Sequence, residues 1–144
     1  MEQSLKEKLW AYIIENNPEL MFSLQEDYSV QKYLDDKVSA LRSSIEQLQQ
    51  LGLPSYIIEE QAMQELTADL KPSKFHYIRN ILEKEFVTDF LRFRESGTLT
   101  YEIVNLIAAC KEIFEAIGFS EENKESRRLR YAVMGTIAQY LENR

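Results

Sequence analysis

One cysteine and one histidine, Cys110 and His76, stand in a chain of 144 residues. A thiol and an imidazole can act as nucleophile and base when a fold joins them. Cys110 closes the most apolar stretch of the chain, Ile103–Cys110, where a thiol behaves as a small inert hydrophobe. His76 falls in the first turn of an expected helix, between Lys74 and Arg79, and reads as exposed or capping. Structural zinc needs about four Cys or His ligands, which this chain does not have. A di-iron bundle needs two Glu-x-x-His motifs, and the residue three before His76 is Ser73. No two glycines lie close enough to form a phosphate-cradling loop. No metal ligand, cofactor or catalytic residue is assigned.

Paired carboxylates are the next chemistry to consider, because two of them can divide acid and base roles. Glu59/Glu60, Glu83/Glu85 and Glu121/Glu122 are the candidates. The first and last pairs lie near helix starts, where acids complement the helix dipole. An enzyme whose carboxylates converge only in three dimensions stays an alternative reading.

The clearest local charge feature is basic: Lys124, Arg127, Arg128 and Arg130. Arg127 and Arg130 share a helix face at a spacing of three. Glu121, Glu122 and Glu125 are near enough to pair with them. The cluster reads as a solvated face laced with salt bridges, as a contact for an acidic protein, or as a phosphate contact to nucleic acid. Arg127, Arg128 and Arg130 are therefore the candidate partner-contact residues. The net charge of −7 is uneven. Residues 1–70 hold 13 acids and 5 bases, a net of −8, and residues 71–144 hold 11 acids and 12 bases, a net of +1. The acidic half repels nucleic acid.

The elements that position these residues are helices. Gly and Pro cost a helix interior roughly 1 and 3 kcal/mol relative to Ala. Here Gly52, Gly97, Gly118, Pro18, Pro54 and Pro72 all stand between apolar-periodic runs. Ser4-Leu5-Lys6-Glu7 fits a capping box, followed by the stripe Leu5, Leu9, Ile13 with Trp10 and Ile14 beside it. Asn17-Pro18 opens a short helix. From Ser29, the residues Leu34, Val38, Leu41, Ile45 and Leu48 follow heptad spacing, long enough for packing within the monomer and short for an independent coiled coil. Ser55 opens a third long helix. Pro72-Ser73 opens a fourth, with Phe75, Ile78, Leu82, Phe86 and Phe90 on one face. The fifth, Ile103 to Ile117, is apolar nearly all round and is expected at the centre of the bundle. Gly118-Phe119 resembles a Schellman end. The last helix starts at Ser120 or Ser126 and carries Leu129, Val133, Ile137 and Leu141. Gly135 interrupts it, and a close approach of the fifth helix or a bend would explain that. No strand-like alternation, repeat or linker is visible.

Three stretches resemble a family of small uncharacterised helical proteins of Bacteroides-type bacteria, often carried near conjugative-transposon genes. They are Leu9-Trp10-Ala11-Tyr12 leading to Asn17-Pro18-Glu19-Leu20, then Ser73-Lys74-Phe75 with Ile81-Leu82-Glu83-Lys84-Glu85-Phe86, then Gly135-Thr136-Ile137 with Tyr140-Leu141-Glu142. The family has an acid where this chain has His76, and an acidic segment where it has Arg127 and Arg128. The resemblance implies an all-helical fold and no catalytic residue to carry over.

The sequence thus predicts an all-α protein, a single compact bundle of five to six helices with short loops, in one domain over 1–144. With no signal-peptide pattern and no apolar run of about 20 residues, a cytoplasmic location without membrane contact is expected. The expected function is non-enzymatic and rests on protein–protein contacts, with an unknown partner or a second copy. A nucleic-acid-associated regulator using the last helix is the alternative. The tyrosines of the acidic half, Tyr12, Tyr28, Tyr33 and Tyr56, suit such half-wet interfaces.

Overall fold

A computed structural model describes residues 1–144 and is all-helical, with no strand. It contains ten α-helices rather than five to six. They form two compact units, Met1–Leu70 and Lys71–Arg144, which divide the chain where its charge changes. No helix is long and apolar enough to cross a membrane.

The first unit holds α1 (Glu2–Asn16), α2 (Pro18–Glu26), α3 (Val30–Ser39), α4 (Arg42–Gln50) and α5 (Ser55–Thr67), closed by a 3-10 turn, Ala68–Leu70. Leu5, Leu9 and Ile13 of α1 are fully buried against Leu34 and Val38 of α3 and Ile58, Ala62 and Leu66 of α5. Ile14, expected beside that stripe, is 45% exposed. Ser4 is no cap, because the helix already starts at Glu2; its hydroxyl donates to Glu59 at 3.3 Å. The heptad run from Ser29 does not form one helix. It breaks at Ala40 and Leu41, so that α3 packs on α1 while α4 packs on α5. Asn17 is buried and donates from Nδ2 to the Leu70 carbonyl at 3.2 Å, which ties the start of α2 to the 3-10 turn.

The second unit holds α6 (Lys74–Glu85), α7 (Val87–Ser96), α8 (Leu99–Ala109), α9 (Lys111–Ile117) and α10 (Arg127–Glu142). Two expected helices are split here as well. The run from Lys74 breaks at Phe86, and the run through Ile103 breaks at Cys110. The second split corrects the expected central helix. Ile103, Leu106 and Ile107 are buried, but Tyr101, Asn105, Ala108 and Ala109 face solvent. Gly97 ends α7 in the left-handed conformation at φ 78°, which glycine adopts without a Cβ clash.

One carboxylate is buried in this unit. Glu102, in the first turn of α8, is 5% exposed. It accepts a 2.7 Å hydrogen bond from the Tyr140 hydroxyl and an ion pair from Arg144, whose guanidinium also lies over Phe93. A buried charge is tolerable only when paired and hydrogen-bonded in this way. The end of α10 is thereby held to the start of α8. The close helix approach offered for Gly135 is not present. The residue is exposed, and a Cβ built there meets nothing within 4 Å.

Cys110 is fully buried in the core of the second unit, and burial pushes its thiol up to about 11. The inert, core-packed reading of this residue holds. In the unfolded chain the thiol ionises near 9.0, so between these values the unfolded state binds fewer protons than the folded one. Stability therefore falls as pH rises through that window. The hydroxyls of Tyr12, Tyr33, Tyr77 and Tyr140 are also raised, chiefly by burial, and act with the same sign.

Three outcomes follow. Gly135→Ala should stabilise the protein by roughly 1 kcal/mol, the helix-propensity difference, measured by urea unfolding; a loss of stability would reinstate a close helix approach. Tyr140→Phe should cost roughly 2 kcal/mol, because it removes a hydrogen bond to a buried charge. Native protein at pH 8 should react with a disulfide thiol reagent far more slowly than urea-unfolded protein, and its melting temperature should fall steadily from pH 9 to 11.

Candidate functional site

Ser73, the cap of α6, and Tyr77, Asn80 and Lys84 within it recur at helical spacing and therefore share one face. Ser73 starts the helix, its Oγ accepting the His76 backbone N–H at 3.1 Å. This face forms one wall of a cleft of about 440 Å³. The opposite wall is the turn between α9 and α10 together with the first turns of α10.

Asn123 shapes that turn. Its Oδ1 accepts the Ser120 backbone N–H at 2.8 Å, and its Nδ2 donates to the Gly118 carbonyl at 2.8 Å. Gly118 has φ 88° and ψ 161°, a conformation outside the left-handed helical region of a Schellman end and open almost only to glycine. Phe119 nevertheless folds back as expected. Its ring stands 5.1 Å from Phe114 and 5.0 Å from Tyr77, centroid to centroid. The helix after the turn starts at the later of its two candidate sites. Ser126 is the cap, accepting from the Leu129 N–H at 3.3 Å.

Lys84, Lys124 and Arg130 bring cations to the cleft from three separate elements, and Glu125 is the one carboxylate on its lining. Arg130 pairs with Glu85 at 3.3 Å and Lys124 with Glu121 at 2.6 Å. That hydrogen bond to Glu121 raises the Lys124 ammonium above its ordinary value. Lys84 makes no ion pair. Tyr77 is half-buried, and its hydroxyl is enclosed without a hydrogen-bond partner. Burial holds this phenol above its ordinary value, while the positive charge of Arg130 pulls it down.

The three arginines singled out in the sequence are separated by the fold. Arg130 turns into the cleft. Arg127 and Arg128 stay exposed, without an ion pair, at the first two positions of α10. A helix N-terminus carries partial positive charge, so cations there cost some tenths of a kcal/mol each, and no acid occupies the first turn of α10 to offset them.

The other candidates do not assemble. His76 is exposed on the cleft wall, whereas Cys110 is enclosed in the core. Glu83 pairs with Arg79 and Glu85 with Arg130, so those two carboxylates face different cations. Glu59 is taken by Lys8 and Ser4. No three His, Cys, Asp or Glu side chains gather as a metal would require. A larger cavity of about 570 Å³ lies between α4 and α5, rimmed by Gln47, Gln61 and Gln64, and brings no cations together. Sequence reasoning had passed over Tyr77, Lys84 and Asn123. The spacing of Tyr77 and Lys84 from the Ser73 cap was a readable signal, but their opposite wall was not.

No curated protein and no solved structure matches the chain. A family model described as a domain of unknown function, DUF1896, matches residues 4–144 and so spans both units. The uncharacterised helical family expected from the three sequence stretches is met at that level. The chain belongs to the DUF1896 family.

Proposed function

We propose that this protein is a non-enzymatic, cytoplasmic binding protein that engages an acidic protein partner through the exposed start of α10, and that residues 1–144 act as one domain. The observation that carries the reading is the contrast in ion pairing. All five bases of the first unit, Lys6, Lys8, Lys32, Lys37 and Arg42, are paired with carboxylates. In the second unit Lys74, Lys84, Arg94, Lys111, Arg127 and Arg128 make no ion pair, and among them Arg127 and Arg128 are adjacent and exposed at a helix start with no acid in its first turn, where the dipole disfavours them. A cation kept at such a cost to stability is better explained by what it binds than by the fold. The acidic character of the whole chain, −7, weighs against a nucleic-acid surface. The resemblance to proteins carried near conjugative-transposon genes adds an accessory role beside a mobile element.

The test compares wild-type protein with Arg127→Gln/Arg128→Gln in affinity capture from native lysate, with sizing chromatography for self-association. A protein recovered by the wild type should be lost or weakened about tenfold in the double variant, as removal of charge-assisted contacts requires. Equal recovery by both, at equal stability, would sink the reading. Salt-dependent binding of duplex DNA, lost in the same variant, would replace it with the nucleic-acid alternative.

A further inference from the structure

The cleft beside these arginines has a chemistry of its own. Its cations do not lie along one exposed face, where they would suit an extended acidic surface. Lys84 comes from the last turn of α6, Lys124 from the turn before α10, and Arg130 from the end of the first turn of α10. They converge on one concavity. Its volume of about 440 Å³ lies in the range of small-ligand sites, roughly 300–1,000 Å³. A carboxylate satisfies one cation, whereas a tetrahedral dianion presents oxygens in several directions and can take donors from three sides at once.

We propose that this cleft is a binding site for a phosphoryl group, held by Lys84, Lys124 and Arg130. The existing ion pairs are compatible with this. Arg130–Glu85 and Lys124–Glu121 join partly exposed side chains, a class of pair that solvent leaves weak, so both cations can be shared with or transferred to a stronger anion. The half-buried rings of Tyr77 and Phe119 give the apolar wall against which the carrier of the phosphoryl group packs. Glu125, on the same lining, repels additional negative charge and accepts hydrogen bonds from hydroxyl or amine groups of that carrier. The site is independent of the partner surface, because Arg127 and Arg128 are not part of its lining.

The experiment is a titration of the full chain followed by amide NMR at constant ionic strength. The probes are inorganic phosphate, glucose 6-phosphate and a phosphoserine peptide, with acetate as the anion control. Saturable shifts confined to Tyr77, Lys84, Lys124 and Arg130 are expected for the phosphorylated probes and not for acetate. Lys84→Gln/Arg130→Gln should weaken the binding about tenfold or more, the usual scale of lost charge-assisted hydrogen bonds, with the spectrum otherwise native. Tighter binding of the sugar phosphate would identify a small-molecule source, and tighter binding of the peptide a phosphorylated protein. No saturable shift with any phosphorylated probe, or equal saturation by acetate, would overturn the proposal. So would affinity unchanged in the Lys84→Gln/Arg130→Gln protein. Arg127→Gln/Arg128→Gln should leave phosphate binding intact, so failure of the partner reading and failure of this one are read separately.

Discussion

A helix is straight, and its apolar stripe has to end where its core ends. A unit of roughly 70 residues is about 28 Å across. The longest helices in each unit, α1 with 15 residues and α10 with 16, run roughly 23 Å and fit that span. A continuous helix from Val30 to Gln50 would reach roughly 31 Å, and one from Lys74 to Ser96 roughly 35 Å. Both would carry apolar residues past the core into water. The chain instead bends at Ala40–Leu41 and at Phe86, and each half of the stripe finds its own neighbour. The break at Cys110 is not a matter of length, since a continuous helix from Leu99 to Ile117 would reach only roughly 29 Å; it turns α9 onto α10 while α8 packs on α6.

That constraint also builds the cleft. Because α9 is short and stops at Gly118, the chain has to turn back before α10 can begin, and the Asn123 side chain folds the turn by bonding back to Gly118 and Ser120. The turn delivers Phe119 to Tyr77 and Lys124 to the α6 face, and Ser126 then starts α10 with Arg130 one turn on. At the far end of α10, the Glu102–Tyr140–Arg144 cluster fastens the helix to α8. The position of Arg130 is thus set by a cap at one end of its helix and supported by a buried charge cluster at the other.

The electrostatics differ between the units. The first has few bases, and each is neutralised locally, by hydrogen bonds that also hold Asp35 and Glu59 below their ordinary values. The second is nearly neutral by count, yet it leaves Lys74, Lys84, Arg94, Lys111, Arg127 and Arg128 without carboxylate partners. Its charges balance in sum and not in place, and it is the placing that creates a surface able to recognise an anion.

Helicity, the buried stripes Leu5-Leu9-Ile13 and Leu129-Val133-Ile137, the stops at Gly52, Gly97 and Gly118, the Ser73 cap and the inert burial of Cys110 were all legible in the sequence. They depend on local chemistry: backbone freedom at glycine, capping hydroxyls and the period of apolar residues. The interruptions at Ala40–Leu41, Phe86 and Cys110 were not legible, because no Gly or Pro marks them: the first two answer to the finite size of each core, and the third to which neighbour each half packs on. Gly135 was legible as an anomaly and misread as packing, since its face of α10 is a matter of tertiary exposure. Arg127, Arg128 and Arg130 were legible as a basic cluster. That Arg130 joins Lys84 in a cleft while the other two face water was decided by the fold alone, because Lys84 and Arg130 are far apart in the chain and meet only when α6 and α10 flank the same turn.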